Sequence, residues 1–311
     1  MKPTIVCIVG PTAVGKTALS IDVAKNYNGE VISGDSMQVY RGMDIGTAKV
    51  TENEKQGIPH YLIDILDPDQ EFSVFDFKSR VTDIIADIHA RGHLPIIAGG
   101  TGMYLDSVIK GYQLSDEKRD PKFEQALIEE INTHGIDAVY QRLVQIDPIQ
   151  ASKIHPNNHR RVIRALEVYD RTGKTMTANQ QEQSNDSPYQ VILIGLEMDR
   201  ELLYERINRR VDVMIENGLI EEARYFYNQG LKKAPAMRAI GYKELMPYFE
   251  GEVTESAAVE LLKRNSRRYA KRQYTWFKNK MDVTWYNITP ETKNKVFQKI
   301  LKDLAGILPR T

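Results

Sequence analysis

Residues 10–17 read GPTAVGKT and are the strongest indication of the fold class. They match the pattern Gly-x-x-x-x-Gly-Lys-Ser/Thr, in which a glycine-rich loop binds phosphate. The preceding run Thr4–Val9 is apolar and suits a buried strand, and the following Ala18–Tyr27 has helical character. A loop between a strand and a helix directs several backbone N–H groups and the positive end of the helix at one point. We therefore predict a strand, loop and helix that bind a di- or triphosphate; the alternative is an ordinary glycine-containing turn.

Two side chains of this loop suit particular tasks. Lys16 places a positive charge on the terminal phosphate, and the hydroxyl of Thr17 suits a magnesium ion, so Mg²⁺ is the cofactor that we expect. The pattern does not say whether the phosphate is transferred or discarded. The residues predicted to bind the phosphates are Gly10, Pro11, Thr12, Ala13, Val14, Gly15, Lys16 and Thr17.

The composition is that of a soluble globular protein. Hydrophobic residues make up 41% and charged residues 27% of the 311 residues. A strand follows almost directly after Met1, and no apolar run approaches the roughly 18 residues of a membrane span, so we expect a cytoplasmic enzyme without a signal peptide. The single cysteine, Cys7, permits neither an internal disulfide nor a cysteine-rich zinc site. The formal net charge is zero, which argues against a nucleic-acid partner only if the charge is evenly spread.

Polar residues follow two further predicted strands. Asp35 comes shortly after the strand Glu30–Ser33, and Thr101 lies in the glycine-rich stretch after the strand Leu94–Ala98. The carboxyl ends of parallel strands line the ligand crevice, so we expect both side chains beside the phosphate loop. Asp35 suits a general base or an outer partner of the magnesium ion, and Thr101 offers a hydroxyl to the phosphates. The alternatives are a capping aspartate and a plain tight turn.

The alternation of strands and helices stops near Ser115 and resumes with the strand Val191–Leu196. Between them the sequence has helical patterns and no convincing strand. We therefore predict an α/β fold: a P-loop NTPase-like parallel sheet core flanked by helices, residues 1–114 and 190–311, with an α-helical insertion domain, residues 115–189. The other core elements that we predict are a strand at Tyr61–Leu66, a helix at Asp76–Arg91, a helix at Glu201–Asn217, a strand at Val283–Tyr286 and a helix around Lys295–Leu304.

Arginines and lysines are concentrated in three places. The helix after the fifth strand carries Arg206, Arg209 and Arg210, which suit either a phosphate clamp or an exposed helix face. Residues 263–280 contain basic and aromatic residues and no acidic residue, with a basic stripe at every fourth position, which favours a polyanion surface over a merely solvated face. A further cluster, Arg160, Arg161 and Arg164, lies in the insertion. Two such surfaces suit one folded nucleic acid.

Together these stretches resemble the bacterial tRNA dimethylallyltransferases, also called tRNA isopentenyltransferases. The resemblance runs in family order along nearly the whole chain. The phosphate loop is shared by many enzymes, whereas DSMQVYRGMDIGTAK together with KRQYTWF is specific to this family. The matching stretches are GPTAVGKT at 10–17, SGDSMQVYRGMDIGTAK at 33–49, PHYLIDI at 59–65, GGTGMY at 99–104, HPNNHRRVIRALEV at 155–168, AIGYKE at 239–244 and KRQYTWFK at 271–278.

The resemblance implies transfer of a dimethylallyl group from dimethylallyl diphosphate to the N6 amine of an adenosine. That adenosine lies 3′-adjacent to the anticodon, in tRNAs that read codons beginning with U. The phosphate loop then holds the diphosphate leaving group, and the base is flipped into a channel through the core. The partners implied are tRNA, through its anticodon stem-loop, and dimethylallyl diphosphate; we expect a monomer and no membrane association.

The same resemblance gives the candidate residues their roles. Asp35 accepts the proton of the amine, while Lys16, the loop amides, magnesium at Thr17, Thr101 and Arg209 stabilise the departing diphosphate. Gln38 suits a bidentate amide contact to adenine. The catalytic candidates are thus Asp35, Thr101 and Arg209. The residues predicted to contact tRNA are Asp35, Ser36, Met37, Gln38, Arg160, Arg161, Val162, Ile163, Arg164, Arg264, Arg268, Lys271 and Arg272.

Three other functions fit part of the sequence. A small-molecule kinase using ATP accounts for the phosphate loop and Asp35 but leaves the basic aromatic helix without a use. A free-adenylate isopentenyltransferase accounts for the core but needs no second basic surface. An RNA-binding switch driven by nucleotide hydrolysis predicts RNA-stimulated turnover of ATP or GTP without alkylation.

Overall fold

The centre of the protein is a parallel sheet of six strands. The computed structural model describes residues 2–112, 120–182 and 186–308. The strand order is β3-β2-β4-β1-β5-β6, and every pairing is parallel. The fold class predicted from the sequence is confirmed. The strands are β1 (Thr4–Val9), β2 (Gly29–Ser33), β3 (His60–Tyr61), β4 (Leu94–Ala98), β5 (Gln190–Glu197) and β6 (Thr284–Asn287).

The first strand lies in the middle of this sheet. Val6 is level with Ile96 of β4 on one side and with Ile192 of β5 on the other. Residues 5–9 are completely buried, because parallel strands are covered on both faces by the helices that connect them. The connections on the two sides of β1 lead away in opposite directions, so its carboxyl end opens into the crevice where ligands bind in such sheets.

Helices cover both faces of the sheet. Several begin with a side-chain cap: Ser73 and Asp76 form a capping box before the third helix, and Asp199 and Thr254 each accept a backbone N–H bond at the start of a long helix. The helices before the insertion are α1 (Lys16–Asn26), α2 (Glu52–Lys55), α3 (Val74–Ala90) and α4 (Gly102–Ile109). Those after it are α10 (Arg200–Glu216), α11 (Leu219–Asn228), α12 (Met246–Phe249), α13 (Glu255–Lys280) and α14 (Lys293–Ala305), with short 3₁₀ turns at Leu231–Lys233 and Pro235–Arg238.

One predicted strand is much shorter than the sequence suggested. Of the predicted strand Tyr61–Leu66, only Tyr61 pairs with β2, together with His60 just before it. Leu62 and Asp64 have left-handed backbone angles, with φ of 61° and 56°, so the chain turns away from the sheet. The rest of this run packs as a loop.

The chain divides into two compact units, Met1–Lys110 with Ser187–Thr311 and Gly111–Asp186. The second unit has its own apolar core, which includes Leu127, Val139, Leu143 and Val162. Its secondary structure within residues 120–182 is helical: α5 (Pro121–His134), α6 (Ile136–Ile146), α7 (Pro148–Ala151), α8 (His159–Thr172) and α9 (Met176–Gln181). The predicted domain boundary at residue 115 lies outside the described residues.

The structure also shows the environment of the single cysteine and the character of the helices. Cys7 is fully buried in β1, and this burial raises the pKa of its thiol to about 12. Within the described part of the chain, no helix combines the length and the apolar character needed to cross a membrane.

Candidate active site

The phosphate loop joins β1 to α1 through strained turns. Gly10, Ala13 and Gly15 have φ values of 141°, 65° and 116°. A Cβ atom at Gly10 would lie 2.5 Å from the carbonyl oxygen of Leu196 in the neighbouring strand, so no larger residue fits there. The loop therefore needs its first glycine for close packing as well as for conformation.

Lys16 bends back over this loop. Its Nζ donates to the carbonyl oxygens of Gly10 at 3.0 Å and Pro11 at 2.8 Å. Burial lowers the pKa of Lys16 to about 8; the charge of Arg210 adds to this effect, and Asp35 opposes it. An arriving anion would favour the charged ammonium, so the structure holds a cation that is ready for a phosphate.

Asp35 lies just after the second strand and is half-buried. Its Oδ1 accepts the backbone N–H of Met37 at 2.8 Å, which fixes the side chain in a turn. Burial raises the pKa of Asp35, while the Met37 N–H and the charges of Lys16 and Arg210 act against that rise. A carboxylate with a raised pKa is a stronger proton acceptor than an exposed one.

Thr101 is held beside Asp35 by two loops that cross at glycines. A Cβ at Gly99 would lie 2.3 Å from the oxygen of Gly34, so only glycine permits this crossing. The backbone N–H of Thr101 donates to Gly34 O at 3.3 Å, and the Thr101 hydroxyl accepts the N–H of Ser36 at 3.2 Å. The structure thus brings Thr101 to the strand ends.

A cavity of about 260 Å³ lies between the phosphate loop and the end of the second strand. Thr12 and Ala13 of the phosphate loop and Asp35, Ser36 and Met37 of the second strand end border the same space. Its other polar walls come from Arg210, Arg238, Lys243, Tyr269 and Arg272, and its apolar walls come from Ile207, Val211, Met214, Ile240 and Leu262. The space therefore suits a ligand with an anionic end and an apolar part.

For the predicted role of Arg209 in stabilising the diphosphate, the structure favours its neighbour Arg210. Arg209 is exposed, whereas Arg210 lines the cavity. Adjacent positions on a helix point about 100° apart, so only one of the two faces the site. Burial lowers the pKa of Arg210, and Asp35 opposes this change. Arg206, one turn earlier, donates from Nε to the carbonyl oxygen of Ala13 at 3.2 Å and so supports the loop.

Gln38 is engaged with the protein itself. Its Oε1 accepts the hydroxyl of Ser33 at 2.8 Å, and its Nε2 donates to the carbonyl oxygens of Thr47 and Ala48, both at 3.3 Å. A bidentate contact to adenine would require these bonds to break. Ser36 and Met37 are the members of the predicted base-binding group, besides Asp35, that line the cavity.

Sequence reasoning gave no role to Gln273, a buried residue of the KRQYTWF stretch. Its Oε1 accepts the backbone N–H of Thr12 at 2.8 Å, and its Nε2 donates to Gly100 O at 3.1 Å. Tyr269, one turn earlier, lines the cavity and interacts with Thr101. The signal was present in the spacing, because residues four apart share one face of a helix.

The long helix α13 separates its basic residues into two groups. Lys263 pairs with Asp212 at 2.7 Å, and Lys278 pairs with Glu197 at 3.0 Å. The second group includes four exposed residues that form no ion pair with any described residue; we call these four the basic stripe, and they are Arg264, Arg268, Lys271 and Arg272. These charges are available to a polyanion.

In the insertion the predicted tRNA-contacting residues differ in exposure. Arg160 and Arg161 are exposed at the start of α8. Arg164 pairs with Glu167 at 2.7 Å. Val162 and Ile163 are 0% and 4% exposed and belong to the core of the unit, so the prediction that they contact tRNA is wrong for their side chains. Helical periodicity turns them inward.

Thr17 fits a magnesium ligand. Its residue is exposed at the start of α1, directly after Lys16. Mg²⁺ in phosphate sites keeps several waters and takes oxygens from the substrate, so a single hydroxyl from the protein suits it. Across the described residues, no group of three or more His, Cys, Asp or Glu side chains is arranged to hold a metal ion.

Comparison with known proteins connects this site to one family. The family model described as IPP transferase matches residues 38–280. The chain is 54% identical to the tRNA dimethylallyltransferase of Oceanobacillus iheyensis over 99% of its length and 98% of the relative. It is 52% identical to that of Bacillus subtilis, with the same coverage.

Solved structures agree with these relatives. The full-length tRNA isopentenylpyrophosphate transferase of Bacillus halodurans aligns with a TM-score of 0.73 at 50% identity, covering 98% of this chain and 96% of that one. A eukaryotic dimethylallyltransferase acting on tRNA aligns with a TM-score of 0.85 at 31% identity, covering 99% and 80%.

Proposed function

Because the chain belongs to the tRNA dimethylallyltransferase family and is an enzyme of that kind, we propose that its cavity is where the dimethylallyl group of dimethylallyl diphosphate is transferred to a tRNA base. The acceptor in this proposal is the N6 amine of the adenosine 3′-adjacent to the anticodon, in tRNAs that read codons beginning with U. The products are the N6-dimethylallyl adenosine and diphosphate.

One observation carries this proposal: a single cavity borders the phosphate loop, the half-buried carboxylate of Asp35 and an apolar wall. A prenyl diphosphate needs the phosphate loop for its anionic end and the apolar wall for its prenyl group. An amine acceptor needs the carboxylate to take up its proton. The apolar side chains Val211, Met214 and Leu262 suit the five-carbon group. Thr12 and Ala13 place the anionic end at the loop.

Asp35 is the proposed general base. The lone pair of N6 forms a bond to the first carbon of the donor while the bond from that carbon to the diphosphate oxygen breaks. N6 thereby becomes acidic and gives its proton to the Asp35 carboxylate. Ser36 and Met37 border the target base, which leaves the RNA stack at a cost of only a few kcal/mol when it already lies in a loop.

The diphosphate leaving group is stabilised by cations and backbone dipoles. Lys16 and Arg210 supply positive charge, and the N–H groups of the phosphate loop supply fixed donors. Thr101 lies at the neighbouring strand end and contributes its hydroxyl. Magnesium, held through Thr17 when bound, supplies charge to the phosphate oxygens.

Two surfaces are proposed to bind the anticodon stem through its phosphates. One is the basic stripe of α13, and the other is the pair Arg160 and Arg161 on the helical unit. Phosphate contacts position an RNA without reading its sequence. The protein is proposed to act in the cytoplasm as a monomer.

The test of this function uses magnesium, radiolabelled dimethylallyl diphosphate and an unmodified anticodon stem-loop with adenosines after the anticodon. Adenosine monophosphate and ATP serve as competing acceptors. Label in the RNA alone supports the proposal. Label in the mononucleotide alone would support a free-adenylate enzyme, and phosphate release from ATP without alkylation would support a kinase or a nucleotide-driven switch.

A further inference from the structure

A single carboxylate outside the cavity collects three consecutive backbone N–H groups. Glu222 of α11 accepts from Asp44 N and Ile45 N with Oε2, both at 2.9 Å, and from Gly46 N with Oε1 at 3.0 Å. Consecutive N–H groups that converge in this way form an anion-binding concavity. Here the bound anion is a side chain of the protein.

The same carboxylate also accepts the hydroxyl of Tyr242. Tyr242 is 0% exposed, and burial together with Glu222 raises the pKa of its hydroxyl, so it remains a donor. A Cβ at Gly46 would lie 2.5 Å from the Tyr242 ring, so the loop and the ring are in direct contact. Glu222 therefore ties two segments together, residues 44–46 and Tyr242.

Both segments continue into the walls of the cavity. Gly46, Thr47 and Ala48 line it from one side, and Gly241 and Lys243 line it from the other. The same space is bordered by Asp35, the proposed proton acceptor. Glu222 itself does not line the cavity, so it affects the reaction only through the walls that it fixes.

We propose that Glu222 is a positioning residue: its carboxylate sets the shape of the pocket that receives the target base. This inference rests on the proposed function. Gln38 restrains the same loop, because its Nε2 donates to the carbonyl oxygens of Thr47 and Ala48. The loop is therefore held through its N–H groups by Glu222 and through its carbonyl groups by Gln38. Fixing a reacting group within a fraction of an ångström is worth a large factor in rate, because a misplacement of about 1 Å costs roughly a hundredfold.

The test is Glu222→Gln, which keeps the size of the side chain but turns an NH₂ group toward backbone donors. We expect kcat/KM for the stem-loop RNA to fall about tenfold or more, while KM for dimethylallyl diphosphate stays within about twofold. Glu221→Gln is the matched control, because Glu221 is the exposed neighbour on the same helix. It should behave like the wild type.

A second variant separates positioning from folding. Glu222→Ala leaves the N–H groups free, so added acetate should restore part of the kcat/KM for RNA, and acetate should have no such effect on Glu221→Ala. Melting temperatures are measured for every variant. The inference is overturned if Glu222→Gln lowers only the melting temperature, if it raises both KM values equally, or if acetate restores nothing. A wild type that does not alkylate RNA would instead overturn the proposed function.

Discussion

At the scale of single residues, burial sets the chemistry of Asp35. Because burial raises its pKa, the carboxylate becomes protonated at a pH above that of an ordinary aspartate. We expect kcat/KM for RNA to fall on the acid side as pH drops through this raised pKa. Asp35→Asn should lose about a hundredfold to ten-thousandfold in the single-turnover rate. RNA affinity, measured by filter binding, should change by only about a few-fold; wild-type turnover in this variant would remove Asp35 as the base.

Lys16 should govern the alkaline side of the pH profile. Since its pKa is lowered to about 8 in the free enzyme, kcat/KM for dimethylallyl diphosphate should fall as pH rises through that value. The bound diphosphate favours the ammonium, so kcat should persist to higher pH. Lys16→Arg retains its charge and should lose the alkaline fall. An unchanged profile in that variant would assign the fall to another group.

The lowered pKa of Lys16 also affects stability. The folded protein binds this proton less tightly than the unfolded chain does, so Lys16 opposes folding at pH below about 8. That cost decreases as pH rises toward the ordinary lysine value of 10.5. The loop thus keeps a cation at some expense to the fold, as binding sites often do.

Arg210 and its neighbour Arg209 provide a test and a control for the proposed stabilisation of the diphosphate leaving group. Arg210→Ala should slow the chemical step by about a hundredfold to a thousandfold, the usual loss for a group that stabilises developing negative charge. Arg209→Ala should remain close to the wild type, because Arg209 is exposed. Rapid-quench rates at saturating substrate decide between them, and equal losses would contradict the assignment.

Some of these site residues could be predicted from the sequence and others could not, for physical reasons. Asp35 and Thr101 follow strands whose carboxyl ends must meet in a parallel sheet, so their proximity was predictable. Arg209 and Arg210 are neighbours on one helix, and sequence alone does not fix its rotation. Gln273 and Glu222 act through bonds to backbone groups distant in sequence, and only folding brings those groups together.

At the scale of elements, helix α13 has two proposed functions. Its inner face carries Tyr269 and Gln273 to the cavity and the loop, and its outer face carries the basic stripe. Arg264 and Arg268 belong only to the stripe, whereas Arg272 also borders the cavity. The first two therefore report on RNA binding separately from chemistry.

Arg264→Ala with Arg268→Ala should weaken RNA binding and make its salt dependence shallower. Each lost phosphate contact reduces the slope of log K against log salt concentration by roughly 0.7 to 0.9. Lys278→Ala is the control on the same helix, since Lys278 is already paired with Glu197. An unchanged slope in the double variant would mean that the stripe faces away from the RNA.

Element boundaries were predicted well where hydrophobic periodicity was long. The helix predicted at Asp76–Arg91 is observed at Val74–Ala90, and the strand at Leu94–Ala98 is observed as predicted. The strand at Tyr61–Leu66 was wrong over most of its length, because left-handed angles at Leu62 and Asp64 are invisible in an apolar run. Hydrophobicity alone does not reveal a turn.

At the scale of the whole molecule, the sheet was predictable because its central strands β1, β4 and β5 are short apolar runs. The helical insertion was predictable because its hydrophobic residues recur about every 3.6 positions and do not form the continuous apolar runs typical of buried strands. Val162 and Ile163 lie in such a period, and their place in the core follows from it. Their inclusion among RNA contacts came from the resemblance and not from the pattern.

The buried thiol of Cys7 allows the opening rate of the folded protein to be measured by chemical labelling. It is the single cysteine of the chain and lies in the central strand, so a thiol reagent reaches it only when the sheet opens. Labelling followed by mass spectrometry should therefore be slow in the native protein and immediate in denaturant. A ligand that binds only the folded state should slow it further, by the factor one plus ligand concentration over Kd. Rapid labelling of the native protein would contradict this account. Otherwise the rate measures how tightly diphosphate binds without any reaction having to occur.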